Sequence, residues 1–175
     1  LILAVGAEHC TPPIKGLETS GAMNISEADL HTKPLGHKVV FCGGGLSATE
    51  CAIGLRHAGH ECVLVDRLPR EELLVGLMDS LTETFRTTLD EMEITLYDRA
   101  SIQEIGSDYV LIRQGEQETR LDCDSVVLAL GLRPDQEKLD ALRGLVPDTY
   151  IVGDANQVGN IRTANMDAFN IAVEL

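Results

Sequence analysis

The chain has 175 residues, of which 44% are hydrophobic and 24% are charged. This composition is typical of one globular domain or two small ones. Its net charge of −14 argues against nucleic acid as a partner, because an acidic surface repels the phosphate backbone. No apolar run approaches the roughly 20 residues that a membrane helix needs, and no secretory signal is visible, so we expect no membrane partner and a cytoplasmic location.

The first half of the chain alternates strand and helix patterns. In chain order, it predicts a strand over 1–5, a short helix opening at Ser26, a strand over 38–42, a helix over 46–58, a strand over 61–66 and a helix over 77–92. Gly59 is well placed to cap the helix over 46–58. In the helix over 77–92, Arg86 and Asp90 are expected on the solvent face.

Short β-type segments joined by glycine-containing turns follow that helix. They read ITLYD, ASIQEI, YVLIRQ and ETRLDC, and the last three predict an antiparallel meander. SVVLALG at 125–131 is typical of a buried parallel strand. A polar helix over 136–142, the strand TYIVGD and a helix from Ile161 complete the pattern. The expected fold class is α/β, with a Rossmann-like parallel sheet and a three-stranded meander.

The stretch CGGGLSATE carries a nucleotide-binding pattern between the strand over 38–42 and the helix over 46–58. Gly43, Gly45 and Ala48 occupy the three positions of G-x-G-x-x-G/A. They serve a tight turn, a close approach of pyrophosphate and a close helix–sheet contact, respectively. The free N–H groups at the helix start, around Leu46 and Ser47, are expected to face the phosphates.

Asp66 ends the next predicted strand, 23 residues beyond Gly43. An acid at this point accepts hydrogen bonds from the adenosine ribose and repels a 2′-phosphate, so NAD(H) is favoured over NADP(H). Arg67 keeps the alternative open, because an arginine can bind that phosphate. A Rossmann-like turn that binds nothing would show the same pattern.

The five cysteines contain no C-x-x-C pair. Four fall in strand or helix patterns and are expected to be buried, reduced thiols, whereas Cys10 lies in a loop and is the one candidate for a reactive thiol. The five histidines show no metal-ligand spacing, so no metal site is expected.

Four motifs together resemble a known family: LAVG at 3–6, CGGGLSATE at 42–50, LALGLRP at 128–134 and IVGDA at 151–155. As a set they resemble the two-dinucleotide-fold flavoproteins of the pyridine nucleotide-disulfide oxidoreductase type. Within these, the chain is most similar to the C-terminal FAD/NAD(P)-binding region of the 2,4-dienoyl-CoA reductase and enoate reductase relatives of Old Yellow Enzyme. The disulfide-reductase branch is not expected, because no redox cysteine pair is available.

The resemblance implies a domain layout. Residues 1–35 would be the first part of a FAD-binding domain, 36–131 a complete NAD(P)-binding Rossmann domain, and 132–175 the returning part of the FAD domain. The glycine-rich start of the FAD fold has no counterpart here, and the chain opens without Met, so we expect a fragment of a longer parent. In the parent, FAD and an N-terminal flavin-bearing domain, which is missing here, would complete the enzyme.

The resemblance also implies roles for individual residues. Glu50 would lie near the nicotinamide carboxamide, and the backbone at Gly131 would pass close to the nicotinamide cofactor. Gly6 would lie near FAD, and Asp154, after Gly153, would bind the FAD ribityl chain. Simpler interpretations stay open: a solvated helix acid for Glu50, turn glycines, and a helix N-cap for Asp154.

The implied function is that of an NAD(P)H:flavin oxidoreductase fragment, inactive by itself. The parent would deliver hydride from NAD(P)H to FAD, then pass electrons to a second redox centre and an enoyl- or dienoyl-type substrate. No catalytic residue is expected in this chain, since the flavin carries the chemistry. The alternative is a non-catalytic NAD(H)-binding module, acting as a sensor or a scaffold.

Overall fold

The computed structural model describes residues 1–175. The α-helices are α1 (Ile25–Asp29), α2 (Leu46–His57), α3 (Asp79–Glu91), α4 (Gln136–Leu142) and α5 (Ile161–Glu174). The strands are β1 (Ile2–Leu3), β2 (Ala7–His9), β3 (Met23–Asn24), β4 (Lys38–Cys42), β5 (Glu61–Val65), β6 (Thr95–Tyr97), β7 (Ala100–Ile105), β8 (Tyr109–Gln114), β9 (Gln117–Asp122), β10 (Ser125–Leu128), β11 (Leu132–Pro134) and β12 (Tyr150–Ile151). Three short 3-10 helices cover Leu17–Thr19, Arg70–Glu72 and Gly153–Ala155.

The chain divides into two compact units. Residues 1–10 and 131–175 form the first unit, and residues 11–130 form the second. Residues 11–35, which the family resemblance assigns to a FAD-binding part, therefore pack within the second unit. Which cofactor each segment serves stays a prediction.

A parallel sheet organises the second unit. Its strand order is β3-β10-β4-β5-β6, and all of its pairs are parallel. Strands β7, β8 and β9 form a separate antiparallel meander, with Tyr109 opposite Asp122 in its second pair. The predicted α/β class with a parallel sheet and a meander is confirmed. Strand β3 is a short edge strand that the hydrophobic pattern does not reveal.

Both faces of the parallel sheet are buried, as the continuous apolar runs of β4 and β10 predict. Successive strand residues point to opposite faces. Phe41 belongs to the core on the α2 side, and Val40 belongs to the core that the meander covers. Both side chains are fully buried, and burying one of this size stabilises a fold by about 1.5–3 kcal/mol.

Local capping sets the helix ends. The prediction that Ser26 opens α1 is wrong, because Asn24 is the N-cap. Its side chain accepts from the N–H of Glu27, and the Glu27 carboxylate accepts from the N–H of Asn24, which is a capping box. After α2, Gly59 takes a φ of 94°, a left-handed conformation that favours glycine.

The first unit has a small core. Strand β1 pairs in parallel with β12, and β2 pairs antiparallel with β11. The predicted strand over 1–5 is shorter than expected, because only Ile2–Leu3 pairs with a neighbour and Gly6 then turns the chain at a φ of 73°. The buried core consists of Leu3, Leu139 and Ala155.

Helix α5 is the least covered element of this unit. None of its 14 residues is buried. Four of its large apolar side chains are more than half exposed: Ile161, Met166, Phe169 and Val173. An apolar stripe at helical spacing needs a covering surface, which the described contacts do not supply. None of the five α-helices has both the length and the apolar character that a membrane-spanning helix requires.

The cysteines are all free, and four of them, other than Cys10, are buried as predicted. Burial raises the pKa of Cys42 to about 12 and that of Cys51 to about 11, because the thiolate loses its hydration in an apolar surrounding. Burial likewise raises the pKa of Cys62 to about 12 and that of Cys123 to about 11.

We therefore predict that a thiol reagent such as DTNB modifies only Cys10 in the folded chain at pH 8, because a protonated buried thiol is a poor nucleophile. The same reagent should modify all five cysteines in denaturant. Fast modification of two or more thiols without denaturant would contradict this expectation.

Candidate functional site

The turn between β4 and α2 depends on the backbone of Gly43. This residue takes a φ of 119°, which side chains rarely allow. A Cβ at this point would collide with the carbonyl oxygen of Ala129. The Gly43 N–H donates to the Val65 carbonyl at 2.8 Å. Gly43 thus packs between β5 and the segment after β10. Only glycine fits there, because any side chain would collide with that segment.

Gly45 differs from Gly43 in what surrounds it. It is the N-cap of α2, with φ −70° and no side-chain capping bond. A Cβ at this point would meet nothing within 4 Å, so the backbone is open to solvent on that side. Leu46 and Ser47 follow in the first turn, where helix N–H groups have no intrahelical acceptor. This open cradle of N–H groups suits a phosphate.

Asp66 sits directly after β5 and reaches across to the glycine turn. Its Oδ2 accepts from the N–H of Gly44 at 2.7 Å, and its Oδ1 accepts from the N–H of Leu68 at 2.8 Å. A carboxylate offers about four lone-pair sites, so each oxygen keeps capacity for a further donor. A ribose diol is such a donor, and the residues present fit a dinucleotide.

Three of the remaining predicted residues of the second unit are solvent-facing. Glu50 is exposed on α2, four residues after Leu46, and Arg67 is exposed beside Asp66. Ser47 is exposed as well, whereas Leu46 is half-buried. Gly43, Gly45, Asp66 and their neighbours thus meet at the carboxyl ends of β4 and β5, the edge where parallel α/β sheets bind ligands.

One arginine next to this edge, Arg86, was not foreseen as part of the site. Arg86 was expected on the solvent face of α3, but it is half-buried, and its Nη2 donates to the Glu71 carbonyl at 2.9 Å. Its Nε is buried without an acceptor. Arg70 and Arg86 line a small cavity together with Gly44. Helical periodicity cannot show that an arginine turns back over a preceding loop.

The residues predicted to contact FAD lie in the first unit, as does Gly131, which is predicted to pass close to the nicotinamide cofactor. Gly6 follows β1 and Gly153 follows β12, so both stand at the carboxyl ends of one parallel pair. The Gly153 N–H donates to Asp167 Oδ2 of α5 at 3.2 Å. Gly131 is exposed with a φ of 89°, and its carbonyl accepts from the Cys10 N–H at 2.9 Å.

Asp154 does not cap α5. The N-cap is Asn160, which forms a capping box with Thr163. Asp154 Oδ1 instead accepts from the Gly159 N–H at 3.1 Å, which orders the loop before α5. Its assignment to a flavin remains a prediction. No group of three or more His, Cys, Asp or Glu side chains is arranged to hold a metal ion.

Comparison with known proteins places these features in a family. The model of the family described as pyridine nucleotide-disulphide oxidoreductase matches residues 1–167. Cinnamate reductase of Clostridium sporogenes is 28% identical over 178 residues, a match that covers 98% of this chain and 26% of the reductase. The chain therefore spans about a quarter of the length of that relative.

Solved structures share the fold. The chain of a 2-naphthoyl-CoA reductase complex superimposes with a TM-score of 0.88 at 22% identity, covering 100% of this chain and 26% of that chain. Thioredoxin reductase of T. acidophilum gives a TM-score of 0.75 at 20% identity, covering 98% and 63%. The broad flavoprotein resemblance is confirmed, whereas the narrower one to dienoyl-CoA and enoate reductases has only loose support. Since the family model covers nearly the whole sequence, the chain belongs to the pyridine nucleotide-disulphide oxidoreductase family.

Proposed function

We propose that this chain is the dinucleotide-binding part of a flavin-dependent NAD(P)H oxidoreductase and that its glycine turn binds NAD(H) in preference to NADP(H). Membership of the family implies use of FAD and NAD(P)H. The observation that carries the proposal is the pairing of Gly45, whose backbone is open, with Asp66, whose carboxylate is already aimed at the turn.

The residues of the second unit would bind and orient the nucleotide. The N–H groups of Leu46 and Ser47 donate to the pyrophosphate, and the dipole of α2 favours its negative charge. Asp66 accepts from the ribose hydroxyls, and Glu50 lies near the carboxamide. Arg67 borders the adenosine. When bound, the nicotinamide supplies a hydride and the flavin accepts it.

The first unit would serve FAD through Gly6, Gly153 and Asp154, while the backbone of Gly131 would pass close to the nicotinamide. We propose that the exposed apolar face of α5 is covered in the intact enzyme by the flavin-bearing part of the parent polypeptide. This assignment is supported by the more than half-exposed Met166 and Phe169 and by a two-residue parallel pair whose length is insufficient for independent stability. The electrons would then pass to a second redox centre and an enoyl- or dienoyl-type substrate. By itself the chain would bind nucleotide without turnover.

Replacing Asp66 with Asn is the direct test of this proposal. We expect the dissociation constant for NADH, measured by calorimetric titration, to rise about tenfold or more, because a hydrogen bond to a charged acceptor is lost. The amide keeps only one acceptor oxygen for two backbone N–H groups, so the free energy of unfolding should fall by about 1–2 kcal/mol. Both values are measured on the same preparation.

Asp124→Asn provides the matched control. Asp124 also accepts a backbone N–H, that of Lys38 at 2.8 Å, but it immediately precedes β10 and so lies at the opposite ends of the parallel strands. Its substitution should leave the NADH dissociation constant unchanged. Equal losses in the two variants, or no NADH binding by the unmodified chain, would refute the proposed site.

A further inference from the structure

Three side chains form a clamp between α3 and the loop that follows Asp66. Arg70 Nη2 lies 2.7 Å from both carboxylate oxygens of Asp90. The same nitrogen donates to the Arg86 carbonyl at 3.1 Å. In return, Arg86 Nη2 donates to the Arg70 carbonyl at 3.3 Å and to the Glu71 carbonyl at 2.9 Å. We call Arg70, Arg86 and Asp90 the loop clamp.

The loop clamp adjoins the proposed ribose site. Arg70 is four residues after Asp66 and lines a small cavity with Gly44. The N–H of Gly44 donates to the Asp66 carboxylate. Leu73, in the clamped loop, packs against the same glycine, since its Cδ1 lies 3.3 Å from the point where a Gly44 Cβ would stand. Arg70 thus belongs to the loop that follows the acid proposed to recognise the ribose, and its guanidinium is directed to Asp90 of α3.

Acids of this region pair with two of its arginines. Besides the Arg70–Asp90 pair, Arg99 Nη2 lies 2.6 Å from Glu71 Oε1. Arg67 is exposed. NADP(H) differs from NAD(H) by a phosphate on the ribose 2′-oxygen, and arginine is the side chain best suited to bind it. Arg70 makes its contacts with Asp90 and with the Arg86 carbonyl through Nη2 alone, so the pairing with Asp90 restrains where the guanidinium lies rather than using up its donors.

We propose that Asp90 is a determinant of coenzyme specificity, because it holds Arg70 away from the 2′-position of the bound ribose. This inference rests on the proposed function. Asp66 would select NAD(H) by repelling the 2′-phosphate of NADP(H). Asp90 would select NAD(H) by keeping the Arg70 guanidinium from binding that phosphate. Removing the Asp90 charge frees Arg70, while Arg86 still anchors the loop through the Glu71 carbonyl.

The test compares NADH and NADPH titrations of the unmodified chain and of Asp90→Asn. We expect the dissociation constant for NADPH to fall about tenfold in the variant, as one charge-assisted phosphate contact would give. The constant for NADH should stay within about twofold, because Asp66 and the glycine turn are unchanged. Thermal unfolding of both proteins verifies that the fold is retained.

Two further variants separate the mechanism from general electrostatics. Arg70→Met combined with Asp90→Asn should restore the original NADPH-to-NADH ratio, since the freed guanidinium is then absent. Glu118→Gln removes the same charge from an exposed pair with Arg113 on the meander and should leave the ratio unchanged.

Each result has a defined meaning. An unchanged ratio in Asp90→Asn, an equal shift in Glu118→Gln, or a shift that persists in the double variant would overturn the inference while NADH binding still supports the proposed function. If the unmodified chain binds neither nucleotide, both the proposed function and the inference fail.

Discussion

Gly45→Val is expected to reduce NADH affinity more than about 100-fold, a loss of about 3 kcal/mol of binding free energy. The side of Gly45 that lacks neighbours within 4 Å is the side from which a pyrophosphate would reach the first turn of α2. A valine side chain would occupy that space and keep the phosphate away from the N–H groups of Leu46 and Ser47. The φ of −70° is compatible with valine, so the backbone need not move.

The measurement is calorimetric titration with NADH, beside thermal unfolding. Valine is a poorer N-cap than glycine, so a stability loss of about 1 kcal/mol is expected. Gly54→Val on the same helix is the control, because a Cβ there also meets nothing within 4 Å. Gly54 faces away from the turn, at residue nine of α2, and its substitution should leave NADH binding intact. Full affinity in Gly45→Val would show that the nucleotide does not bind over this turn.

Gly43→Ala is expected to destabilise the fold by about 4 kcal/mol. A side chain at a φ of 119° costs about 1–3 kcal/mol of backbone strain. The new Cβ would also collide with the carbonyl of Ala129, and such overpacking costs about a further 1–3 kcal/mol of folding free energy. The affected elements, β4 and the end of β10, are central in the parallel sheet, so the damage cannot be confined to a loop.

The free energy of unfolding from urea denaturation measures this effect, and the melting temperature should fall by about 10 °C. Gly115→Ala separates backbone strain from collision, because Gly115 has a φ of 58° and an open Cβ position at a hairpin tip. The free energy of unfolding should fall by only about 1 kcal/mol in Gly115→Ala. A loss in Gly43→Ala no greater than in Gly115→Ala would mean that the sheet adapts to the added methyl group.

The sequence specifies the parts of this fold that follow from local pattern. The continuous apolar runs of β4 and β10 predict buried parallel strands, and the alternating runs of β7 to β9 predict the meander. Chain order and spacing around Gly43 and Gly45 predict the strand–turn–helix. These features depend on residues close together in the chain, so hydrophobic periodicity and the spacing of glycines are sufficient to predict them.

Other features depend on contacts between distant segments and leave no local signal. The strand Met23–Asn24 has two residues and exists because β10 offers it an edge. Arg86 was assigned to solvent, yet its guanidinium caps carbonyls of a loop 13–16 residues earlier. The pattern around Asp66 predicts an acid at the strand end. It does not predict that this carboxylate also accepts a hydrogen bond from the N–H of Gly44.

The hydrogen bonds of Asp66 constrain how coenzyme preference in such a protein can be redesigned or can evolve. The same carboxylate that would discriminate between the two nucleotides also ties the glycine turn to the end of β5. Exchanging it for a neutral residue therefore trades stability for altered selectivity, and a marginally stable protein tolerates this only after a compensating stabilising change. Under the proposed function, Arg67 and Asp90 would provide a less costly mutational route to NADPH, because neither carries the hydrogen bonds by which Asp66 supports the turn.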